Sequence, residues 1–325
     1  MKQIPLKGGS LSTTNLIIEN KKKFVRKEIS LKKNREYGYQ RWYTQLKRIQ
    51  RYNKVFPNLF PELLNYGLLN NNNAFFDIQY IENSLSGYDF LLKERNKKKI
   101  NKFFIKLIDC MNIMHSIKFT SSSSSIKLYL EEEVDKKIKD CKEGGFLNKN
   151  ISANFFNIKD KKIPNIIKNI KLYKKIFLFN YAEKEECFTH GNITLENIVY
   201  NYQNNELFFI DPYDENVIDS KLGEYSQILQ SSNAKYEYLN NNIFIKVDDI
   251  DNSNTDLFGL NYFNMLFNEF LKNTLSQNKI KIVKLFEISQ FIRMLPFKLR
   301  INRKLMVKFT KVASLLFQEY TEKYE

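Results

Sequence analysis

Short apolar runs set between glycine, asparagine and lysine turns dominate the first third of the chain. Residues 4–6, 15–18 and 24–29 are such runs, parted by Gly8-Gly9-Ser10 and by Lys21-Lys22-Lys23. Runs of this length between turn residues predict strands, and three in succession predict a small antiparallel sheet. In the third, Val25 and Lys27 share one face while Phe24, Arg26 and Glu28 share the other, so one of the two basic side chains is a candidate to point inward at an anion. A strand lysine taken alone more often lies on a solvated face. From residue 36 to about 55 the period becomes helical, with Tyr39, Trp42, Tyr43, Leu46 and Ile49 recurring at spacings of three and four, and Pro57 and Pro61 stop the element. A further strand is predicted over 74–81, and the polar stretch 83–87 leaves it as a loop.

Beyond that loop the pattern is mostly helical. A short helix is predicted over 88–92 and a longer one over 100–117, where Phe104, Leu107, Ile108, Met111 and Met114 form the buried stripe. His115 has no histidine, cysteine pair or acidic cluster beside it and reads as structural. The serine run 121–125 predicts a mobile link. Residues 151–180 parse poorly: Pro164 interrupts them, and Ile166, Ile167, Ile170, Leu172 and Tyr173 suggest one packed helix. A helix is expected from about 223 to 232 and a short hairpin around 240–242. Three closing helices follow over 257–271, 282–295 (ending at Pro296) and 305–320.

One stretch departs from this. Residues 187–213, CFTHGNITLENIVYNYQNNELFFIDPY, read as two short strands, 198–200 and 207–210, around polar turns. Their rims carry His190, Asn192, Asn197 and Asp211, four polar side chains able to converge on one point.

Composition changes the picture in few places. With 325 residues, the chain exceeds the size at which one core stops growing, and two lobes are expected. Net charge is +16, which suits an anionic partner such as a nucleotide, a sugar phosphate or a membrane leaflet, and leaves peripheral membrane contact open. Nucleic-acid binding rests on that charge alone, since no zinc spacing, glycine-aromatic motif or helix-turn-helix signal accompanies it. The three cysteines, Cys110, Cys141 and Cys187, are far apart and suggest neither a disulfide framework nor a zinc motif. The start has no apolar signal core, and no apolar run approaches 18 residues. A reduced, cytoplasmic protein is expected.

The chemistry of the hairpin can be stated residue by residue. The Asn197 amide oxygen and the Asp211 carboxylate suit Mg²⁺, which takes few protein ligands and shares the rest with water and phosphate. Phosphoryl transfer also needs a basic group on the phosphates and a group that orients or deprotonates the acceptor, roles open to Lys27 and Asn192. Against this, His190, Asn192 and Asn197 each fit a turn-capping role through bonds to the backbone.

Together these residues resemble the aminoglycoside phosphotransferase and choline kinase family of the protein-kinase-like superfamily, nearest to bacterial members found with capsule and surface-polysaccharide genes. Those proteins carry HGD, four residues, Asn, and then IDP. Here the chain reads His190-Gly191-Asn192, four residues, Asn197, then Ile210-Asp211-Pro212. The segment from Tyr225 to Ser231 and Met294-Leu295-Pro296 match the same group, so the resemblance spans nearly the whole chain. It implies an α+β two-lobe protein-kinase-like fold: a small N-terminal antiparallel sheet lobe, residues 1–82, for the nucleotide, and a larger, mainly helical lobe, 83–325, for catalysis and acceptor. It implies ATP and Mg²⁺ as cofactors, Asn197 and Asp211 as metal ligands, and His190 as support of the catalytic loop. Gly8-Gly9-Ser10 becomes the nucleotide-covering turn, Lys27 the phosphate lysine, and Gln79-Tyr80-Ile81 the adenine hinge.

Two departures qualify what it implies. The acidic residue after His-Gly is Asn192, which can bond an acceptor hydroxyl but cannot take its proton near neutral pH. The glutamate that should pair the phosphate lysine has two candidate positions, Glu36 and Gln40. The expected activity is ATP-dependent phosphate transfer to a small-molecule hydroxyl, on a sugar, polyol or surface-glycan precursor. At +16 a neutral or anionic acceptor suits the chain better than a polycation. The alternative is a nucleotide-binding pseudokinase with a binding or scaffolding role.

Overall fold

The computed structural model describes residues 2–6, 12–31, 35–69, 72–122, 124–143, 153–158, 160–213, 216–242, 247 and 257–325; Gly8, Gly9 and Ser10 lie outside them. Contacts gather the chain into two units. The first holds Met1–Gly87, Lys106–Cys110 and His190–Asn216, and the second Tyr88–Ile105, Met111–Thr189 and Val217–Glu325. The polar hairpin therefore groups with the N-terminal sheet, although more than a hundred residues separate them in the chain.

In the first unit, β1 (Lys2–Leu6), β2 (Ser12–Glu19) and β3 (Lys22–Ser30) form the predicted meander. Asn20 and Lys21, both at positive φ, make the two-residue turn between β2 and β3, the geometry that fits the twist of paired strands. After α1 (Arg35–Val55) come β4 (Leu63–Leu69) and β5 (Asn73–Gln79), giving a five-stranded antiparallel sheet of order β1-β2-β3-β5-β4. Sequence reasoning missed β4: LLNYGLL has no β-branched residue and carries Asn65 and Gly67, so it is a strand by pairing with β5, through a register shift between Leu63 and Asn65.

One face of the sheet packs on α1. Ile29, Trp42, Leu46, Ile49, Ala74 and Phe76 form the buried cluster, and Trp42 also donates from its indole nitrogen to the Phe75 carbonyl at 3.2 Å. Tyr39 and Tyr43 lie outside this face, stacked on one another and exposed. On the opposite sheet face Arg26 meets its cross-strand partner Asp77. After β6 (Leu85–Ser86) the chain leaves the unit near Gly87.

The second unit opens with α2 (Gly87–Lys93) and α3 (Lys97–His115). Then come β7 (Lys118–Thr120), α4 (Ser125–Leu130), α5 (Lys136–Glu143), the hairpin of β8 (Phe155–Ile158) and β9 (Lys161–Pro164), α6 (Ile170–Asn180) and β10 (Glu185–Cys187). The described serines of the 121–125 run are not a loose link. Ser121 donates its backbone N–H to Lys184 and its hydroxyl to Glu186, and Ser125 opens α4 buried.

Back in the first unit, β11 (Ile198–Asn201) and β12 (Glu206–Phe209) form the predicted hairpin, and β6 adds to make a three-stranded sheet. Asn201 accepts the N–H groups of Gln203 and Asn204, which closes its turn.

Among the described residues, five helices complete the second unit: α7 (Lys221–Ser232), α8 (Tyr236–Asn241), α9 (Phe258–Thr274), α10 (Gln277–Ile301) and α11 (Arg303–Tyr324). Two expectations fail here. Residues 236–241 are helical, with no hairpin at 240–242: Lys298 Nζ donates to Asn240 Oδ1 at 2.7 Å, tying the helix to α10. Pro296 does not end α10. A mid-helix proline forfeits one backbone bond, and burial of Ile292 and Leu295 beside it offsets that loss. His115 is structural in setting, buried and 2.8 Å from Glu224.

Candidate functional site

The site assembles inside the first unit from three elements: β3, α1 and the turns at each end of the β11–β12 hairpin. Lys27 leaves β3 on the face that carries Ile29, its ammonium nitrogen 5.9 Å from the centroid of the Phe76 ring. Its ammonium group pairs with the Asp211 carboxylate. Asp211 follows β12 with φ of +55°, a left-handed conformation that turns the chain sharply just where the carboxylate is presented. Of the two basic candidates in β3, Lys27 is thus the one directed to the hairpin. Arg26 is committed elsewhere, by two hydrogen bonds to Asp77 at 2.7 and 2.8 Å.

The partner that sequence reasoning missed is Gln45. Its side-chain N–H groups donate to Asp211 Oδ1 at 2.7 Å and to the Pro212 carbonyl at 2.9 Å, and its oxygen accepts from Lys27 at 3.4 Å. Neither position expected for this role holds it within the described residues. Gln40 faces solvent, and the Glu36 side chain lies outside them. A signal was present: Gln45 stands three residues after Trp42 and four before Ile49, so it is the lone amide in an apolar stripe, 3% exposed.

Burial pushes the Asp211 carboxyl up, but the Lys27 charge and hydrogen bond, the Gln45 hydrogen bond and the Arg41 charge together outweigh it. The pKa therefore falls below the ordinary carboxylate value, and Asp211 is ionised at neutral pH.

The polar turn before β11 is held mostly by its own backbone. His190 is fully buried between Phe60 and Phe209, its ring parallel to that of Phe60. Its Nε2 donates to the Ile210 carbonyl at 2.9 Å, so Nδ1 is left to accept the Asn192 N–H at 3.3 Å. One histidine thus ties the start of the turn to the residue preceding Asp211. Gly191 has φ of +78°, a conformation that L side chains rarely adopt, and a Cβ there would also require the tip of the Asn216 side chain to move aside.

Asn197 donates to the Asn192 carbonyl at 2.7 Å, while its own backbone carbonyl accepts from Ile210 at 2.9 Å. This bond commits the nitrogen of the Asn197 amide and leaves the oxygen as its other end. The Asn192 carboxamide is half-buried and bonds to no described residue. The hinge candidates run from the last residue of β5: Gln79 exchanges backbone and side-chain bonds with Glu62, and the Ile81 carbonyl accepts from Ser84 at 2.7 Å. The structure thus brings Lys27, Asn192, Asn197, Asp211 and His190 to one turn system, while Gln79, Tyr80 and Ile81 lie at the end of the sheet.

Among the described residues no group of three or more His, Cys, Asp or Glu could enclose a metal ion. No helix there is long and apolar enough to cross a membrane. All three cysteines are buried, and burial pushes their thiols up, to about 11 for Cys110 and about 12 for Cys141 and Cys187.

No family model and no curated protein matches the chain. Solved structures do. Wild-type aminoglycoside 2'-phosphotransferase-IIIa in complex with GDP aligns over 100% of this chain and 94% of its own, with a TM-score of 0.59 at 12% identity. The apo form of a thermostable aminoglycoside phosphotransferase APH(4)-Ia aligns over 98% and 94%, with a TM-score of 0.62 at 8% identity. The ternary complex of a thermostable APH(4)-Ia with AMP-PNP and hygromycin B covers 98% and 93%, at 0.60 and 8%. The chain has a protein-kinase-like fold. This kinase-like fold bears out the expected class: an N-terminal antiparallel sheet, followed by a mainly helical part. These likenesses, at such low identity, speak to the fold alone. The named structures are of aminoglycoside kinases, and capsule-associated proteins are not among them.

Proposed function

We infer that the protein binds ATP at Lys27 and transfers its terminal phosphate to a hydroxyl of a small molecule. The observation that carries this reading is the pairing of Lys27 with Asp211 beside Asn197, in a fold shared with proteins solved with GDP, with AMP-PNP and with the aminoglycosides kanamycin and hygromycin B. The nucleotide lobe is taken as residues 1–82, with Gly8, Gly9 and Ser10 over the phosphates and Gln79, Tyr80 and Ile81 along the base. The catalytic and acceptor lobe is 83–325.

The donor set fits one Mg²⁺. Asn197 has its nitrogen tied down and its oxygen left over, and Asp211 Oδ2 accepts from no described residue. A hard cation that retains water and phosphate oxygens needs no more protein ligands than these two. Bound there, magnesium would offset charge on the phosphates. Lys27 would hold phosphate oxygens, His190 would keep the turn in place, and Asn192 would orient the acceptor hydroxyl through its amide.

The acceptor is a neutral or anionic hydroxyl compound: a sugar, polyol or surface-glycan precursor, in the cytoplasm. The net charge of +16 supports this choice over a polycation. A pseudokinase that binds nucleotide and acts as a scaffold is the second reading, and Asn192 favours it, because an amide takes no proton near neutral pH. Thermal-shift titration with ATP and Mg²⁺ tests the shared part, and transfer from labelled ATP into a panel of sugars and polyols divides the two. Absence of any nucleotide-dependent shift defeats both.

A further inference from the structure

Gln45 raises a question that its neighbours' chemistry answers. A carboxamide offers two N–H donors and an acceptor oxygen, whereas a carboxylate offers acceptors alone. Both Gln45 donors are used, on Asp211 Oδ1 at 2.7 Å and on the Pro212 carbonyl at 2.9 Å. Both partners are pure acceptors, which also fixes which end of the amide is nitrogen. The oxygen end accepts from Lys27 at 3.4 Å. No other arrangement of the amide satisfies all three contacts.

We propose that Gln45 is a positioning residue whose amide donors clamp the Asp211–Pro212 turn to α1 beside Lys27, and that the position is closed to glutamate. The resemblance leads one to expect glutamate as the partner of the phosphate lysine. In this chain an isosteric carboxylate would set an oxygen at 2.7 Å from a carboxylate oxygen and at 2.9 Å from a carbonyl oxygen, with no proton for either. Lys27, already paired with Asp211, would then be the cation nearest to two carboxylates. Arg41, whose charge also reaches Asp211, is the other cation acting there.

The inference deepens the reading of this turn system as a nucleotide site, but its test needs no nucleotide. Urea unfolding of the full chain is measured at pH 8 with a chelator present, for wild type, Q45L, Q45E and the double variant Q45E/D211N. Leucine makes none of the three bonds; glutamate matches glutamine in shape. The expected order is that Q45E is less stable than Q45L, its folding equilibrium constant smaller by at least about tenfold, given what an unpaired buried carboxylate costs. Adding D211N to Q45E restores much of the loss, because the new amide can donate to the carboxylate, while D211N alone does not stabilise. A folded double variant beside an unfolded Q45E supports the proposal equally. Q45E as stable as Q45L or wild type overturns it, as does failure of D211N to rescue. ATP with Mg²⁺ is added to wild type separately: no shift there defeats the nucleotide reading and leaves the clamp result standing.

Discussion

Lys27 and Asp211 form an ion pair across 184 residues of sequence, at the junction of β3 with the end of β12. The pair contributes to the acid limb of stability. A carboxylate whose folded pKa is depressed contributes stability that is complete above its unfolded value, about 3.9, and is lost as pH falls through the lower folded value. Lys27→Met removes the largest contributor opposing burial of Asp211. The stability gap between wild type and the variant should therefore be at its plateau near neutral pH, narrow as pH falls into the carboxylate range, and close below the depressed folded value of Asp211. Its plateau should be about 1.5–3 kcal/mol, the worth of a hydrogen bond to a charged group. Unfolding midpoints across that range measure it, and a gap independent of pH contradicts the pairing.

Replacing Gly191 should cost stability in two separable parts. Gly191→Ala places a Cβ on the Asn216 side chain and also forces an L-residue to φ of +78°. The first part is relieved by Asn216→Ala and the second is not. The double variant should thus recover only partly, remaining about 1–2 kcal/mol less stable than Asn216→Ala alone. Full recovery would mean that the backbone at 191 relaxes out of the left-handed region.

Legibility in the sequence followed the reach of each signal. The meander, the α1 period and the 198–210 hairpin are local patterns, and they are where the sequence reading placed them. His190, Asn192, Asn197 and Asp211 lie within 22 residues in one motif, so their grouping along the chain was also visible. What failed was non-local. β4 is a strand because β5 pairs with it, and Pro296 sits within a helix because the surrounding turns are buried. Gln45 was not legible as the lysine partner because both expected positions, Glu36 and Gln40, lie in the first turns of α1, whereas the contacts that mark Gln45 are with Asp211 and Pro212, 166 residues or more away.

Arg26 and Asp77 offer a contrast in the cost of breaking a pair from either side. Arg26 makes two bonds to Asp77 and lies over the Phe75 ring at 4.5 Å. The Asp77 side chain is 5% exposed and that of Arg26 22%. Arg26→Ala strands a buried carboxylate, at about 3–5 kcal/mol. Asp77→Ala leaves a guanidinium that keeps its ring contact and reaches water, and should cost less. Arg26→Lys should not restore wild-type stability, since an ammonium group makes neither the paired bonds nor the flat ring contact. Urea midpoints of the three variants give the order, and equal losses for Arg26→Ala and Asp77→Ala would refute it.

Asn192 decides between enzyme and scaffold. Its backbone is fixed by His190 on one side and Asn197 on the other, so a change of side chain there leaves the turn intact. Asn192→Asp exchanges the amide for a group of nearly equal size that can accept a proton. If the proposed transfer lacks only its general base, the variant should raise the rate of phosphate incorporation into the best acceptor by about 10²- to 10⁴-fold. The nucleotide-induced thermal shift should change little, because Lys27, Asn197 and Asp211 are untouched. A gain in rate at constant affinity assigns position 192 to the chemical step. No gain, with nucleotide still bound, means the turn is organised for binding, and the pseudokinase reading then stands on the same residues.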